Sequence, residues 1–192
     1  MAVRVRRKAH KSGRAAHVLV PAQRSEQIMW LIWIPLVVAW IALPGVAAGR
    51  PIGESWSLAL PSFVENYGAL ALRVVAALVA VGCLLGSIRC WGHMGEHWRM
   101  AVDPNQRGPL LTDGPFGAVR HPIYALSILM MTCSLIAVPT PLMALVAAIH
   151  VALMNLKARN EERFLRERHG QAFVDYCGRT RRFIPRFGRR SP

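Results

Sequence analysis

The chain has 192 residues, 53% of them hydrophobic, yet it carries 24 Lys+Arg against 10 Asp+Glu for a formal charge of +14. An apolar composition and a strong net charge coexist only when the charges are segregated, and seven basic residues lie in 1–25 and eleven in 157–192, with six in the 131 residues between. A soluble domain with an evenly solvated surface is thereby excluded; nucleic-acid binding by a basic arm is disfavoured because both arms adjoin apolar runs, where they suit anionic lipid headgroups.

Residues 1–25 read as a basic, flexible tail. Ile28 to Ala48 is a run of 21 uncharged residues with Trp30, Trp33 and Trp40 among them, long enough to cross the ~30 Å hydrocarbon layer as a helix. A cleavable signal peptide has a shorter apolar stretch of about 7–15 residues. The run therefore reads as a retained anchor, although the acid-free leader also imitates a mitochondrial presequence. A second run, Tyr67 to Ile88, is interrupted only by Arg73, near enough to the end to snorkel, and Gly82 and Gly86 form a small-xxx-small pair suited to close helix approach. A third tract, Pro122 to Leu156, has 35 residues without a formal charge and is broken at Pro139-Thr140-Pro141. It predicts a helical hairpin whose second arm continues through Lys157 to Arg168.

These runs predict an all-α polytopic membrane protein with about four transmembrane helices, near 27–48, 67–91, 122–138 and 142–158, in a single domain over 26–187 with a short basic tail at 188–192. The loop 49–66 holds one Arg against two Glu, whereas both termini and the stretch Arg89 to Arg120 are richer in Arg and Lys. The positive-inside bias places both termini and that stretch in the cytoplasm. Cys83, Cys90, Cys133 and Cys177 show no paired spacing and read as buried small hydrophobes.

Two polar clusters carry chemistry. The loop GPLLTDGPFGAVRHPIYA (108–125) is rich in Gly and Pro and reads as a structured turn region rather than helix. Pro122 suits the first turn of a helix and pushes His121 toward an extended conformation, so the third span begins just after Arg120 and His121. The second cluster, KARNEERFLRERHGQAFVDYCGRTRRFIP (157–185), holds Glu161 and Glu162, the only adjacent acidic pair in the chain. Helix electrostatics explain them blandly, since Lys157 with Glu161 and Glu162 with Arg166 are i,i+4 pairs. The hairpin, however, returns the end of the fourth span to the start of the third, so Arg120, His121, Tyr124, Arg159, Glu161 and Glu162 are expected to face one another.

HMGEH (93–97) has the His-x-x-Glu-His order of one class of zinc peptidase, with Cys90 one turn earlier. Gly92 and Gly95 weaken the helix that would align the histidines, and the stretch reads as the cytoplasmic end of the second span. No metal is expected.

The ordered set LLTDGPFGAV, RHPIY, EERFLRERHGQAFVDY and RRFIP resembles the isoprenylcysteine carboxyl methyltransferase family of integral membrane enzymes, and MGEHWRMAVDP (94–104) is similar to a Met-Gly-x-x-Trp-Arg signature of its bacterial relatives. The resemblance covers about residues 90–187. It implies methyl transfer from S-adenosyl-L-methionine, with S-adenosyl-L-homocysteine as product, in a cytosolic pocket built from 94–125 and 157–187 of a bacterial inner-membrane protein. Residue by residue it implies that Gly114, His121, Pro122, Tyr124, Glu161, Glu162, Tyr176 and Trp98 hold the cofactor, and that Arg120, His121, Arg159 and Glu161 act in catalysis. The chain departs from the family at Leu126, where Gly is usual, at Lys157, where Arg is common, and at Phe173, which replaces the first tyrosine of a Gly-x-x-Tyr-x-x-Tyr pattern.

The expected function is methylation of a lipophilic acceptor entering from the bilayer, foremost the carboxylate of an isoprenylcysteine-like molecule. Transfer from a sulfonium to a carboxylate annihilates charge, so a dry pocket disfavours the reactants more than the transition state. A phospholipid amine or another small N- or S-nucleophile is the alternative acceptor. An NADPH-dependent sterol-type reductase and a non-catalytic lipid-binding adaptor are alternatives of other classes.

Overall fold

The computed structural model describes residues 24–52, 60–95 and 109–186. Its helices are α1 (Arg24–Ala48), α2 (Tyr67–Met94), the single turn α3 (Pro115–Ala118), α4 (Pro122–Ala137), α5 (Pro141–His169) and α6 (Gln171–Arg179), with one 3-10 turn at Ser62–Glu65. There are no strands among the described residues; one isolated parallel bridge joins Val119 to Arg181. The expected all-α architecture holds. Trp98, Glu96, His97 and the basic tails lie outside the described residues.

The helices start where the sequence supplies caps. Asn66 Oδ1 accepts the Gly68 N–H at 2.8 Å to open α2, and Thr140 Oγ1 accepts the Met143 N–H at 3.2 Å to open α5. Such caps satisfy donors that have no partner inside the helix. Pro122 and Pro141 occupy first-turn positions, where the missing N–H costs nothing. α5 stops at Gly170, whose positive φ of +53°, with ψ −125°, is backbone that glycine adopts without the strain a side chain would bring.

α1 from Gln27, α2 and α5 are long and apolar enough to cross a membrane. The uncharged part of α5 ends before Lys157, and its last turns are polar. Leu31 and Ile41 on α1 and Leu78 on α2 are 73%, 75% and 68% exposed, far more than a water-soluble protein tolerates over whole helix faces but as a lipid-facing surface requires.

α4 is apolar but has 16 residues, roughly 24 Å at 1.5 Å per residue. Its far end stays inside the protein. The Arg73 Nε–H donates to the Ala137 carbonyl at 2.8 Å, so this arginine neutralises the negative end of α4 instead of reaching only for the interface as its position suggests. The hairpin apex is covered by Ala47, Leu60 and Val64, against which Val138 packs.

Inside the bundle, Leu36 and Leu43 of α1 meet Met131 of α4 and Met143, Val146, Leu153 and Met154 of α5. α2 lies along α4, and a Cβ at Gly86 would come within 3.1 Å of Leu126 Cδ1. Of the small-residue pair, Gly86 is the member that admits a neighbour; Gly82 meets nothing within 4 Å. Contrary to the sequence reading, the loop before α4 includes a turn of helix, α3, whose N-cap Gly114 has φ +54°.

Candidate active site

α4 and α5 run antiparallel about the turn at 138–140, so the start of one and the polar end of the other meet. Glu162 sits at the centre. Its Oε1 accepts from Arg120 Nε at 3.0 Å and from Arg182 Nε at 3.0 Å, and its Oε2 from Arg182 Nη2 at 2.5 Å. The Arg182 contact is the two-pronged guanidinium geometry that makes such pairs strong. Arg182 and Arg120 take the place of the expected partner Arg166. Arg120 Nη1 also donates to the Thr180 carbonyl, while the backbone N–H groups of Arg120 and His121 donate to the carbonyls of Arg181 at 2.8 Å and Arg182 at 3.1 Å. The segment 180–182 is therefore stitched to 119–121.

His121 bridges the acidic pair. Its Nδ1 is 3.4 Å from Glu161 Oε2 and its Nε2 is 3.3 Å from Glu162 Oε1; the second contact is an ion pair without hydrogen-bond alignment. The ring stacks on Tyr124 with centroids 5.4 Å apart and planes 8° from parallel, and the Tyr124 hydroxyl donates to Glu161. Burial pulls the His121 pKa down, but the two carboxylates outweigh it and hold the imidazole above its ordinary value. Burial pushes the Glu162 carboxyl up, and its bonds to His121, Arg182 and Arg120 overcome this and hold it well below the usual carboxylate range. Arg182 is raised in turn by Glu162. Burial pushes the Tyr176 phenol up to about 12, and it donates to the Phe116 carbonyl at 2.6 Å, fixing α6 beneath α3.

Beside this cluster lies a cavity of about 570 Å³, within the size range of ligand sites. Its walls are helical stripes. α1 contributes Met29, Trp33, Val37 and Trp40, α2 Leu84, Ser87, Trp91 and Met94, α4 Ile123, Ser127 and Met130, and α5 Met154, Lys157, Glu161, Phe164 and Arg168. Spacings of three and four keep each set on one helix face. From Met29 to Trp40 the cavity follows α1 for roughly 16 Å. It is polar at the end formed by Arg120, His121, Lys157 and Glu161 and apolar toward Trp40 and Met130.

Of the residues singled out in the sequence, Arg120, His121, Pro122, Tyr124, Glu161 and Tyr176 line the cavity. Glu162 adjoins it without lining it, because successive residues on a helix point about 100° apart. Arg159 is exposed and away from the lining, so the structure does not bring it to the cluster. Gly114 acts through its shape: a Cβ there would lie 2.8 Å from the His93 ring, which stacks on Phe116 and approaches Asp113 at 3.4 Å. His93 thus serves the loop, and among the described residues no group of three His, Cys, Asp or Glu is placed to hold a metal. The departures from the resembled family are accommodated. Leu126 turns toward Gly86 and not into the cavity, Phe173 is buried at its edge, and Lys157 Nζ lies 5.9 Å from the centre of the Tyr124 ring. Arg182 is the residue sequence reasoning missed; the motif RRFIP marked its place without assigning it a role.

The phospholipid methyltransferase family model matches residues 70–172, more than half of the chain. The chain belongs to this family. No curated protein and no solved structure matches it. As a member of a family of membrane methyltransferases it has Arg120, His121, Tyr124 and both glutamates inside the matched range, whereas Tyr176, Thr180 and Arg182 lie beyond it. The Arg182 half of the clamp on Glu162 therefore comes from outside the matched range, and the Arg120 half from within it.

Proposed function

We propose that the protein transfers a methyl group from S-adenosylmethionine to a carboxylate on a lipophilic acceptor, such as an isoprenylcysteine-like molecule, that enters from the bilayer. The observation that supports this is the two-ended cavity, with Glu161 the one carboxylate among its described lining residues and Arg120, His121, Lys157 and Arg168 around it. The donor set fits the cofactor. Its hydroxyls and ammonium suit Glu161, its carboxylate suits Arg120 or Arg168, and Phe116 and Phe164 offer ring faces for the adenine. When bound, it supplies an electrophilic methyl on a sulfonium.

With Glu161 committed to the cofactor, the described lining holds no second carboxylate for a cationic amine, whereas Arg120, His121 and Lys157 suit an anion. A carboxylate needs no base, so His121 orients and balances charge in place of abstracting a proton. Glu162 holds Arg120 and His121 in position, and Gly114 and Tyr176 shape the loop. Arg159 has no assigned part. The basic bias of the tails and of the stretch Arg89 to Arg120 supports a cytosolic position for this end of the bundle, from which the water-soluble cofactor would enter.

Methylation of a phospholipid amine is the second reading, favoured by the family to which the chain belongs. A tritiated methyl donor incubated with the purified protein and native membranes separates them: a carboxyl ester releases volatile methanol in alkali, and a methylated amine keeps its label in the lipid fraction. In detergent, S-adenosylhomocysteine is expected to raise the melting temperature and NADPH to leave it unchanged. Absence of a shift with any adenosyl ligand, in protein shown to be folded, would sink the methyl-transfer reading.

A further inference from the structure

The apolar end of the cavity contains one polar device that the chemistry above does not use. His150 lies nine residues into α5, within the uncharged part of the helix, and is 1% exposed. Its Nε2 is 2.9 Å from Ser127 Oγ on α4, and the Trp40 ring packs against it with centroids 5.4 Å apart. Burial of an imidazole among hydrocarbon is unfavourable for each polar atom left unmet, and an ionisable side chain retained inside a membrane span points to function.

Ser127 behaves unlike Ser87, Thr132 and Ser134, the other serines and threonines described within the spans. Those three each donate back to the carbonyl four residues earlier, at 2.9 Å, the bond a helical hydroxyl makes when nothing else is offered. Ser127 turns across to His150 while it lines the cavity. A neutral imidazole has one N–H to place. His150 Nδ1 is buried without a partner, and an unpaired donor is rarer in buried sites than an under-used acceptor. The proton therefore belongs on Nε2, donating to Ser127 Oγ, which leaves the serine O–H to donate into the cavity.

We propose that Ser127, oriented by His150, is an acceptor-binding subsite that donates a hydrogen bond to a neutral carbonyl oxygen, of an amide or ester, on the lipophilic substrate. Ser127 lies one helical turn beyond Tyr124, roughly 5 Å toward the apolar end. The carbonyl recognised there sits a few bonds from the methylated group, between that group and the hydrocarbon tail. His150 is a positioning residue. Ser127's part as an acceptor subsite rests on the methyl-transfer reading; its preference for a carbonyl does not.

The test measures binding without turnover. N-acetyl-S-farnesylcysteine and S-farnesyl-3-mercaptopropionate share carboxylate, thioether and tail and differ by the acetamido group. Titration into the detergent-solubilised full chain is followed by the fluorescence of the tryptophans that line the cavity. The wild type is expected to bind the amide-bearing probe about fivefold tighter, the worth of one ordinary hydrogen bond. Ser127→Ala and His150→Phe are expected to bring the ratio to near one, and Ser127→Thr to restore it, with the S-adenosylhomocysteine-induced melting shift intact throughout. A wild-type ratio near one, no measurable binding of either probe, or a ratio unchanged in Ser127→Ala overturns the subsite and reduces the pair to interhelical adhesion. Loss of the S-adenosylhomocysteine shift in the wild type would instead remove the methyl-transfer reading while the binding ratio still reports on Ser127.

Discussion

Two adjacent glutamates divide their work because helix geometry gives them different neighbours. Glu162 balances Arg120, Arg182 and His121 with a side chain 14% exposed, so neutralising it strands two guanidiniums in a poorly solvated place. Glu162→Gln is expected to cost about 3 kcal/mol of stability, as breaking a largely buried pair does, and to lower the melting temperature with or without ligand. Glu161, on the cavity wall and 25% exposed, is expected to behave otherwise. Glu161→Gln, which removes one of the two charges facing His121, should lower the melting temperature by less than Glu162→Gln does and abolish the S-adenosylhomocysteine shift. Equal losses of stability in the two variants would contradict the division. The pair itself was legible in the sequence, and so, in principle, was its division, from the 100° per residue of an α-helix. What no local pattern shows is that Arg182, twenty residues later, returns to the same carboxylate.

At the scale of elements, run length, the Pro139-Thr140-Pro141 break and Pro122 made most of the fold readable, whereas the caps Asn66 and Thr140 emerge only in the structure. Arg73 was misjudged in part because its partner, the end of α4, is 64 residues away. The contact of Gly86 with Leu126 was hidden likewise, although each residue was singled out separately. A glycine on α2 receives a leucine on α4, and the reverse pairing, with the leucine on α2, fills the same space. Gly86→Leu alone is expected to overpack the interface at about 1–3 kcal/mol. The double variant Gly86→Leu with Leu126→Gly should regain part of that loss, less the penalty of glycine within α4. Thermal denaturation of the four proteins of this cycle gives the coupling; strict additivity would mean the two residues do not share a space.

At the scale of the whole molecule, the chain's last described residues close the structure on its middle. Segment 180–182 is bonded to 119–121, and Arg182 reaches α5. The charges that hold this closure set its response to pH. His121 is raised above its ordinary 6.5 in the fold, so its contribution to stability is complete below about pH 6.5 and is lost as pH rises through the folded value. Glu162 is depressed below its ordinary 4.5, so its contribution is present above about pH 4.5 and is lost as pH falls toward the folded value. The two windows overlap in weakly acidic solution. The melting-temperature difference between wild type and His121→Gln is therefore expected to be largest between about pH 5 and 6.5 and to shrink toward pH 9, whereas the difference between wild type and Glu162→Gln should shrink below about pH 4.5 and fall only in part toward pH 9, where Arg120 and Arg182 stay charged after His121 has lost its proton. A His121→Gln difference that grows toward alkaline pH would show that the imidazole is held neutral between the two carboxylates, and the charge balance assigned to the site would be wrong by one proton.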